Sequence, residues 1–325
     1  MGTHQALYPR FLPPLQRYFN MKNTLQSRLL GISHFFIALG LFLVSIMVLQ
    51  SIASNVVQSV FGLDLATIEK VKAEDLTVSQ LYGLKVYLLS NGLSFVLAAW
   101  ACTRFYRKKL GQFTGLSNRP SKFALLAAMA IIFLAMPITD VLLRLNDALP
   151  VSERFRESMQ ELDDKSNHLY GLMLHANTGL GLIANILIVG LAAAIGEELF
   201  FRGILLRVIA NSSQNNHTAV WISSIAFALF HLQPLKIVPM VFLAVLLGYL
   251  YVRTGSLWVT ILVHALNNSI VVILDWSTKM GYNWAIASED FKFSPFVIAA
   301  ASAAFIGVFI LFWRRSNEID FSYDV

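Results

Sequence analysis

The feature that most constrains this chain is a series of apolar stretches, each long enough to cross a lipid bilayer. A transmembrane helix needs about 20 predominantly apolar residues, with some tolerance for tilt. The fourth stretch is longer than one span requires, and the fifth is shorter. We predict an all-α, polytopic integral membrane protein with about eight transmembrane helices. They are placed near 29–52, 82–103, 122–143, 176–209, 218–232, 235–252, 256–275 and 294–313.

The composition agrees with a membrane protein and excludes other classes. Of the 325 residues, 56% are hydrophobic and 14% are charged, whereas a soluble domain carries about 25% charged residues. The single cysteine, Cys102, excludes a disulfide framework and dithiol chemistry within the chain. A net charge of +6 would suggest nucleic-acid binding in a soluble protein, but here the basic residues cluster at the ends of apolar stretches. We therefore expect the lipid bilayer, and no nucleic acid, as a partner.

The distribution of Lys and Arg predicts the orientation in the membrane, because short cytoplasmic loops are enriched in both residues. Residues 1–28 contain four basic residues and no acid, and 104–122 contain six basic residues and no acid. The intervening segment 53–81 has four acids and two lysines, and 144–170 is rich in acids. Basic residues also stand at or near the cytoplasmic ends of later apolar stretches, at Arg207, Arg253, Arg314 and Arg315. These patterns predict a multi-pass membrane protein with both termini in the cytoplasm. A bacterial inner membrane is the expected location, although the charge pattern itself does not identify the source.

Segment 151–167, between the third and fourth spans, has two interpretations. Phe155, Met159 and Leu162 recur at near-helical spacing among charged residues, as in a helix lying on the outer membrane interface. A solvated loop would explain the same composition. The sequence leaves both open.

Three ionisable residues interrupt the fourth apolar stretch: Glu197, Glu198 and Arg202. Each such group costs about 2.5–3.5 kcal/mol at the centre of a membrane, so a cluster indicates a function. On a helix, Glu198 and Arg202 lie on one face and can pair, whereas Glu197 is rotated by about 100°. The alternative is that the helix has already left the membrane and the three residues form a cytoplasmic cap.

Two further polar sites follow in later spans. His231 comes four residues after Phe227, and His264 comes four residues before Asn268. At 1.5 Å per residue, Glu197 and His231 lie roughly 18–20 Å from the turn that joins their helices, and His264 and Asn268 lie roughly 12–18 Å from theirs. Taken singly, each histidine could be explained as a hydrogen-bonding residue between packed helices. The common depth instead predicts one intramembrane site.

The chain lacks the sequence motifs that mark several other kinds of intramembrane enzyme. It contains no His-Glu-x-x-His, Gly-x-Ser-x-Gly, Gly-x-Gly-Asp or Walker motif. Nucleophilic serine, paired-aspartate and nucleotide-driven mechanisms are therefore unsupported.

Taken together, the motifs resemble those of the CPBP intramembrane proteases. This is the family of the type II CAAX prenyl proteases and of the bacterial bacteriocin-processing or immunity (Abi) proteins. The resemblance covers about 185–270, and Arg253-Thr-Gly-Ser-Leu-Trp258 is similar to the segment that usually precedes the family's last motif. The matching residues are Glu197, Glu198, Arg202, Phe227, His231, His264 and Asn268.

The resemblance implies a helical core with an intramembrane cavity that opens toward the cytoplasm and in which peptide bonds are hydrolysed. Glu197 would activate water with the help of His231, and His264 and Asn268 would stabilise the oxyanion. Glu198 with Arg202 would hold the helix. The implied substrate is a membrane-associated peptide or protein, lipidated or not. The implied units are a basic extension (1–28), N-terminal helices with acidic outer segments (29–175), a catalytic core (176–275), and a last helix with a cytoplasmic tail (276–325).

A zinc mechanism would use the same side chains, with Glu197, His231 and His264 as ligands. We favour metal-free catalysis without a cofactor, because Asn268 suits an oxyanion better than zinc and because no helical His-x-x-x-His pair occurs. A catalytically silent scaffold, or an immunity or signalling protein with the same fold, is the alternative function. A transporter or proton relay is disfavoured because the polar groups concentrate in one half of the chain.

Overall fold

The computed structural model describes residues 14–176, 178–282, 284 and 291–321, with side chains from residue 30 onward. Within this part of the chain the regular structure is entirely helical, so the predicted all-α class is confirmed. The helices are α1 (Pro14–Phe61), α2 (Val78–Phe105), α3 (Leu110–Phe113), α4 (Lys122–Asp147), α5 (Glu153–Leu174), α6 (Gly179–Asn185), α7 (Ala193–Phe200), α8 (Arg207–Ser213), α9 (Asn216–Phe230), α10 (Ile237–Thr254), α11 (Leu257–Lys279) and α12 (Pro295–Arg315).

Seven helical segments of the described chain are long and apolar enough to cross a membrane, in agreement with a polytopic membrane protein. One of them is the continuous stretch Gly179–Ser213, which includes α6, α7 and α8. The stretch predicted near 218–232 is apolar helix α9, whose 15 residues span only about 22 Å at 1.5 Å per residue. This helix is too short to cross the roughly 30 Å hydrocarbon core alone.

Helix α1 begins earlier than the predicted first span. The helix runs without interruption from Pro14, so the boundary expected at residue 28 does not coincide with a break in structure. Residues 1–13, the rest of the predicted extension, lie outside the described residues.

Segment 151–167, which the sequence left as a surface helix or a loop, lies mainly within helix α5. The Ser152 hydroxyl caps the helix by accepting a hydrogen bond from the backbone N–H of Phe155. The Phe155 and Leu162 side chains are exposed, as the interfacial-helix interpretation expects.

The stretch Gly179–Ser213 is not a regular α-helix. Two π-helical segments, Ile186–Ala192 and Phe201–Leu206, flank α7, the helix that carries the paired glutamates. Such segments often mark functional sites. On α7, Gly196 packs so closely on α2 that a Cβ atom there would collide with the backbone oxygen of Gly92. The glutamates are therefore held at a backbone-to-backbone contact between two helices.

The bundle has two distinct ends. We call the end formed by residues 105–121, 214–215, 255–256 and 316–321 the basic end. We call the end formed by residues 62–77, 148–176, 231–236, 280–282 and 291–294 the acidic end. Helix α5 lies at the acidic end and packs against α2 and the turn before α10.

Candidate active site

A cavity of about 610 Å³ lies between α2, α4, α5, α7, α9, α10 and α11. Four of the six predicted site residues line it, namely Glu197, His231, His264 and Asn268. The other two, Glu198 and Arg202, are fully buried behind the wall. The structure thus brings together side chains from three separate segments, as the estimate of depth predicts.

Glu198 and Arg202 form the buried support of the site. Arg202 Nη1 donates to Glu198 Oε1 at 2.7 Å, and Nη2 donates to the backbone oxygen of Ala244 on α10 at 3.1 Å. The guanidinium also lies 4.7 Å from the ring centroid of Phe227 on α9. This one pair therefore ties α7 to two neighbouring helices, and a buried ion pair needs such additional partners to offset its loss of hydration.

His264 bridges the two glutamates. Its Nδ1 lies 2.8 Å from Glu198 Oε1, and its Nε2 lies 3.7 Å from Glu197 Oε2. An ionised carboxylate only accepts hydrogen bonds, so we assign the proton to Nδ1. The Nε2 atom then offers a lone pair to the cavity, or a second N–H when the ring is protonated.

His231 stands where α9 ends. Its Nδ1 lies 2.8 Å from the backbone oxygen of Phe227, an acceptor, so the same tautomer is assigned to this ring. The next residue, Leu232, has a φ of 52°, which turns the chain away from the helix. The short helix thus ends with an imidazole in the cavity wall.

Glu197 differs from its neighbour in its environment. Its side chain is 14% exposed and lines the cavity, whereas the Glu198 side chain is 0% exposed. The rotation of about 100° between adjacent helix positions accounts for this difference. Glu197 is the carboxylate that a bound molecule can reach.

Asn268 lies one helical turn from His264 on α11. Its Nδ2 donates to the backbone oxygen of Val189 at 3.3 Å, within the first π-helical segment. The same carboxamide lines the cavity, next to that of Asn267. Asn268 is therefore placed to present an amide to the cavity from the face that carries His264.

Tyr170 is a cavity residue that the sequence did not identify. It comes from α5, and burial followed by the negative charge of Glu197 raises its pKa to about 12. Its phenol is thus a neutral hydrogen-bond donor at physiological pH. The sequence contained no signal for it beyond the apolar spacing of α5.

Side-chain amides form a second group that the sequence did not single out. Besides Asn268, four other amide residues line the cavity. They are Asn91, Asn167, Gln233 and Asn267. Each amide offers both a donor and an acceptor.

The zinc alternative has mixed support from the geometry. In both histidines Nδ1 donates to an oxygen acceptor, so the lone pair of Nε2 is directed away from it. This is the arrangement of a histidine that binds a metal ion through Nε2. However, no group of three or more His, Cys, Asp or Glu side chains in the described part of the chain is close enough to hold a metal ion. The predicted ligand set, Glu197, His231 and His264, does not converge as a zinc site requires.

Residues 179–270 match the model of the family described as type II CAAX prenyl endopeptidase Rce1-like. No curated protein and no solved structure matches the chain. The matched segment begins with α6 and ends within α11, and it contains all six predicted site residues. This match supports a protease of the CAAX type and is consistent with the CPBP family.

Proposed function

We propose that this protein is an intramembrane endopeptidase that hydrolyses a peptide bond in a membrane-associated peptide or protein, lipidated or not. The observation that carries this proposal is the contrast between two adjacent glutamates. Glu198 is sequestered by Arg202 and His264, whereas Glu197 faces a cavity of about 610 Å³ beside the second nitrogen of His264.

Glu197 acts as the base that activates water. The 3.7 Å between Glu197 Oε2 and His264 Nε2 exceeds a direct hydrogen bond but allows one water to contact both atoms. Glu197 removes a proton from this water as its oxygen attacks the peptide carbonyl carbon. When the tetrahedral intermediate collapses, the proton passes to the leaving amine, so the carboxylate is regenerated.

The remaining residues stabilise the charge that develops on the carbonyl oxygen. The Asn268 carboxamide donates a hydrogen bond to this oxygen, and His264 donates a second one from Nε2 in the form of the ring that carries both N–H groups, with Glu198 Oε1 accepting from Nδ1. His231, which lines the same cavity, assists Glu197 through its Nε2. No metal takes part in this mechanism.

The cavity lining supports a peptide as the substrate. A peptide main chain presents alternating donors and acceptors, and side-chain amides offer both. The five amides of the wall meet this need, and the apolar remainder of the cavity can accept side chains.

The proposal is tested with purified, detergent-solubilised protein and a library of short lipidated and unlipidated peptides. Wild type and Glu197→Ala are compared, each with and without a zinc chelator, and Glu161→Gln on the exposed face of α5 is the control. We expect cleavage by wild type and the control in the presence of chelator, and none by Glu197→Ala. Loss of cleavage on chelation with recovery on adding zinc would overturn the metal-free mechanism. Persistent cleavage by Glu197→Ala would remove this residue from catalysis.

A further inference from the structure

Helix α2 carries a buried lysine that the proposed mechanism does not use. Lys85 is 4% exposed, although the helix around it is apolar enough to cross a membrane. A charged group inside such a helix is costly and commonly has a function. Lys85 lies three positions before Leu88, the first residue of α2 on the cavity wall. It therefore stands within one helical turn of the site.

The ammonium group of Lys85 has a neutral acceptor for each of its three N–H donors. Its Nζ donates to Asn185 Oδ1 at 2.8 Å, to the backbone oxygen of Met173 at 2.9 Å and to that of His175 at 3.1 Å. Met173 and His175 lie at the C-terminal end of α5, where the last carbonyls of a helix have no partner within the helix and the helix dipole favours a cation. Lys85 therefore caps α5 from another helix.

Asn185 completes this cap from a third element. It is 2% exposed, and its Nδ2 donates to the backbone oxygen of Leu174 at 2.7 Å while its Oδ1 accepts from Lys85. Asn185 is the last residue of α6 and directly precedes the π-helical segment Ile186–Ala192. The two side chains thus join α2, α5 and the beginning of the stretch that carries the glutamates. We call Lys85 and Asn185 the buried anchor.

Each element that the buried anchor joins supplies part of the cavity wall. The wall residues closest to the anchor along the chain are Asn91 of α2, Tyr170 and Leu174 of α5, and Val189 of the π-helical segment. The backbone oxygen of Val189 is also the acceptor for Asn268. Within the described part of the chain neither anchor residue lines the cavity. A bound peptide would therefore contact the wall and not the anchor.

Helix α5 has few other buried attachments to the bundle. Of its 22 residues, two are buried, Asp163 and Leu172. Leu172 packs in a small apolar cluster that includes Leu84, the neighbour of Lys85. The contact between Lys236 Nζ and Asn167 Oδ1, at 3.0 Å, is made by a lysine side chain that is 40% exposed. The C-terminal end of α5, with its wall residues, is thus fixed mainly where the buried anchor lies.

We infer that Lys85 and Asn185 are positioning residues for substrate binding, which hold the wall residues of α5 in place relative to Glu197 on α7. This inference rests on the proposed function in treating the cavity as a peptide site. The groups proposed for the chemistry, Glu197, His264 and Asn268, come from α7 and α11, whereas the anchor fixes the end of α5. Loss of the anchor should therefore weaken peptide binding much more than it slows the chemical step.

The inference is tested by the steady-state kinetics of Lys85→Met, which keeps an unbranched side chain but removes the ammonium group. Lys165→Met removes the same group from an exposed position of α5 and is the matched control. For Lys85→Met we expect the KM for a peptide that wild type cleaves to rise about tenfold, the equivalent of about one lost hydrogen bond. The kcat should be nearly unchanged, as for a loss of uniform binding. Lys165→Met should match wild type in both constants.

A milder variant keeps the test informative if Lys85→Met fails to fold. Asn185→Asp retains an acceptor for Lys85 and loses only the donor to the backbone oxygen of Leu174. Its KM should rise by less than that of Lys85→Met, again at nearly constant kcat. The melting temperature of each variant reports whether it is folded.

Hydrogen exchange measures the attachment of α5 without any need for hydrolysis. The amides of residues 169–176 should exchange faster in Lys85→Met than in wild type, because their carbonyl partners are lost at the end of the helix. Exchange in the same residues should be unchanged in Lys165→Met.

Two results would overturn the inference. One is a folded Lys85→Met or Asn185→Asp protein with the KM and the exchange rates of wild type. The other is a lower kcat at unchanged KM, which a smaller folded fraction would produce. Wild type that cleaves no peptide, together with the expected exchange pattern, would contradict the proposed function and support the anchoring of α5.

Discussion

Charged side chains have opposite environments in the two halves of the bundle. At the basic end, Arg207 is enclosed by Tyr251 and Phe321. In the other half, Glu197 faces the cavity, whereas its neighbour Glu198 is fully buried and pairs with Arg202 and His264 through Oε1. Packing, more than residue type, therefore decides whether a charged side chain is structural, as Arg207 and Glu198 are, or accessible to a substrate, as Glu197 is.

The largest expected effect on stability comes from the buried pair. Glu198→Gln removes the charge that Arg202 and His264 contact, leaving a buried guanidinium without its carboxylate. We expect a loss of about 3–5 kcal/mol in the free energy of unfolding, measured by denaturation in detergent. Glu161→Gln, in a solvent-exposed pair with Lys165, should leave the free energy of unfolding almost unchanged, because water and salt screen such a pair. Equal losses in the two variants would show that Glu198 is not a structural charge.

An intermediate effect is expected at the contact between α7 and α2. Gly196→Ala places a methyl group against the backbone oxygen of Gly92, and overpacking of this kind costs about 1–3 kcal/mol. The displaced α7 should also lower the hydrolysis rate, because Glu197 follows directly. Gly307→Ala on α12, where no atom lies within 4 Å of the added Cβ, is the matched control. A stable and fully active Gly196→Ala would contradict the close contact.

A smaller effect is expected at the basic end, where the side chains of Arg207, Tyr251 and Phe321 pack together. Phe321→Leu keeps an apolar side chain but removes the ring that stacks on Tyr251 and faces Arg207. Such ring contacts contribute about 1 kcal/mol, so the melting temperature should fall slightly. The hydrolysis rate of the folded protein should not change. If Phe321→Leu lost most of its activity while keeping the wild-type melting temperature, the basic end would contribute to catalysis and would not be purely structural.

The smallest effect concerns the ionisation of Tyr170. Its pKa of about 12 is raised first by burial and second by Glu197, so Glu197→Gln should lower this pKa only in part. The stabilisation from keeping this phenol neutral is complete below the ordinary value of 10 and is lost as the pH rises through 12. Ultraviolet titration of each protein, with the matching Tyr170→Phe variant subtracted, measures the shift. An unchanged pKa would show that Glu197 carries no charge near Tyr170.

Much of the helical layout could be predicted from the sequence, because long apolar stretches have few alternatives in a membrane. The span predicted at 256–275 is helix Leu257–Lys279, and that at 294–313 is Pro295–Arg315. The pairing of Glu198 with Arg202 could also be predicted, because it follows from helical spacing alone.

Other features depend on tertiary packing and could not be predicted from the sequence. The π-helical segment Ile186–Ala192 packs against α11, where a Cβ on Gly190 would collide with the Ser269 side chain. The place of Tyr170 in the cavity depends on how α5 folds back over the bundle.

The central claim is that Glu197 is the catalytic base of a preformed cavity. The most direct measurement compares wild type with the isosteric Glu197→Gln for both binding and cleavage of one peptide found in the library. For Glu197→Gln we expect similar affinity, a similar melting temperature, and a cleavage rate about 10²–10⁴-fold lower, the usual contribution of a general base. A Glu197→Gln protein that folds, binds the peptide and cleaves it at the wild-type rate would show that Glu197 is not the base.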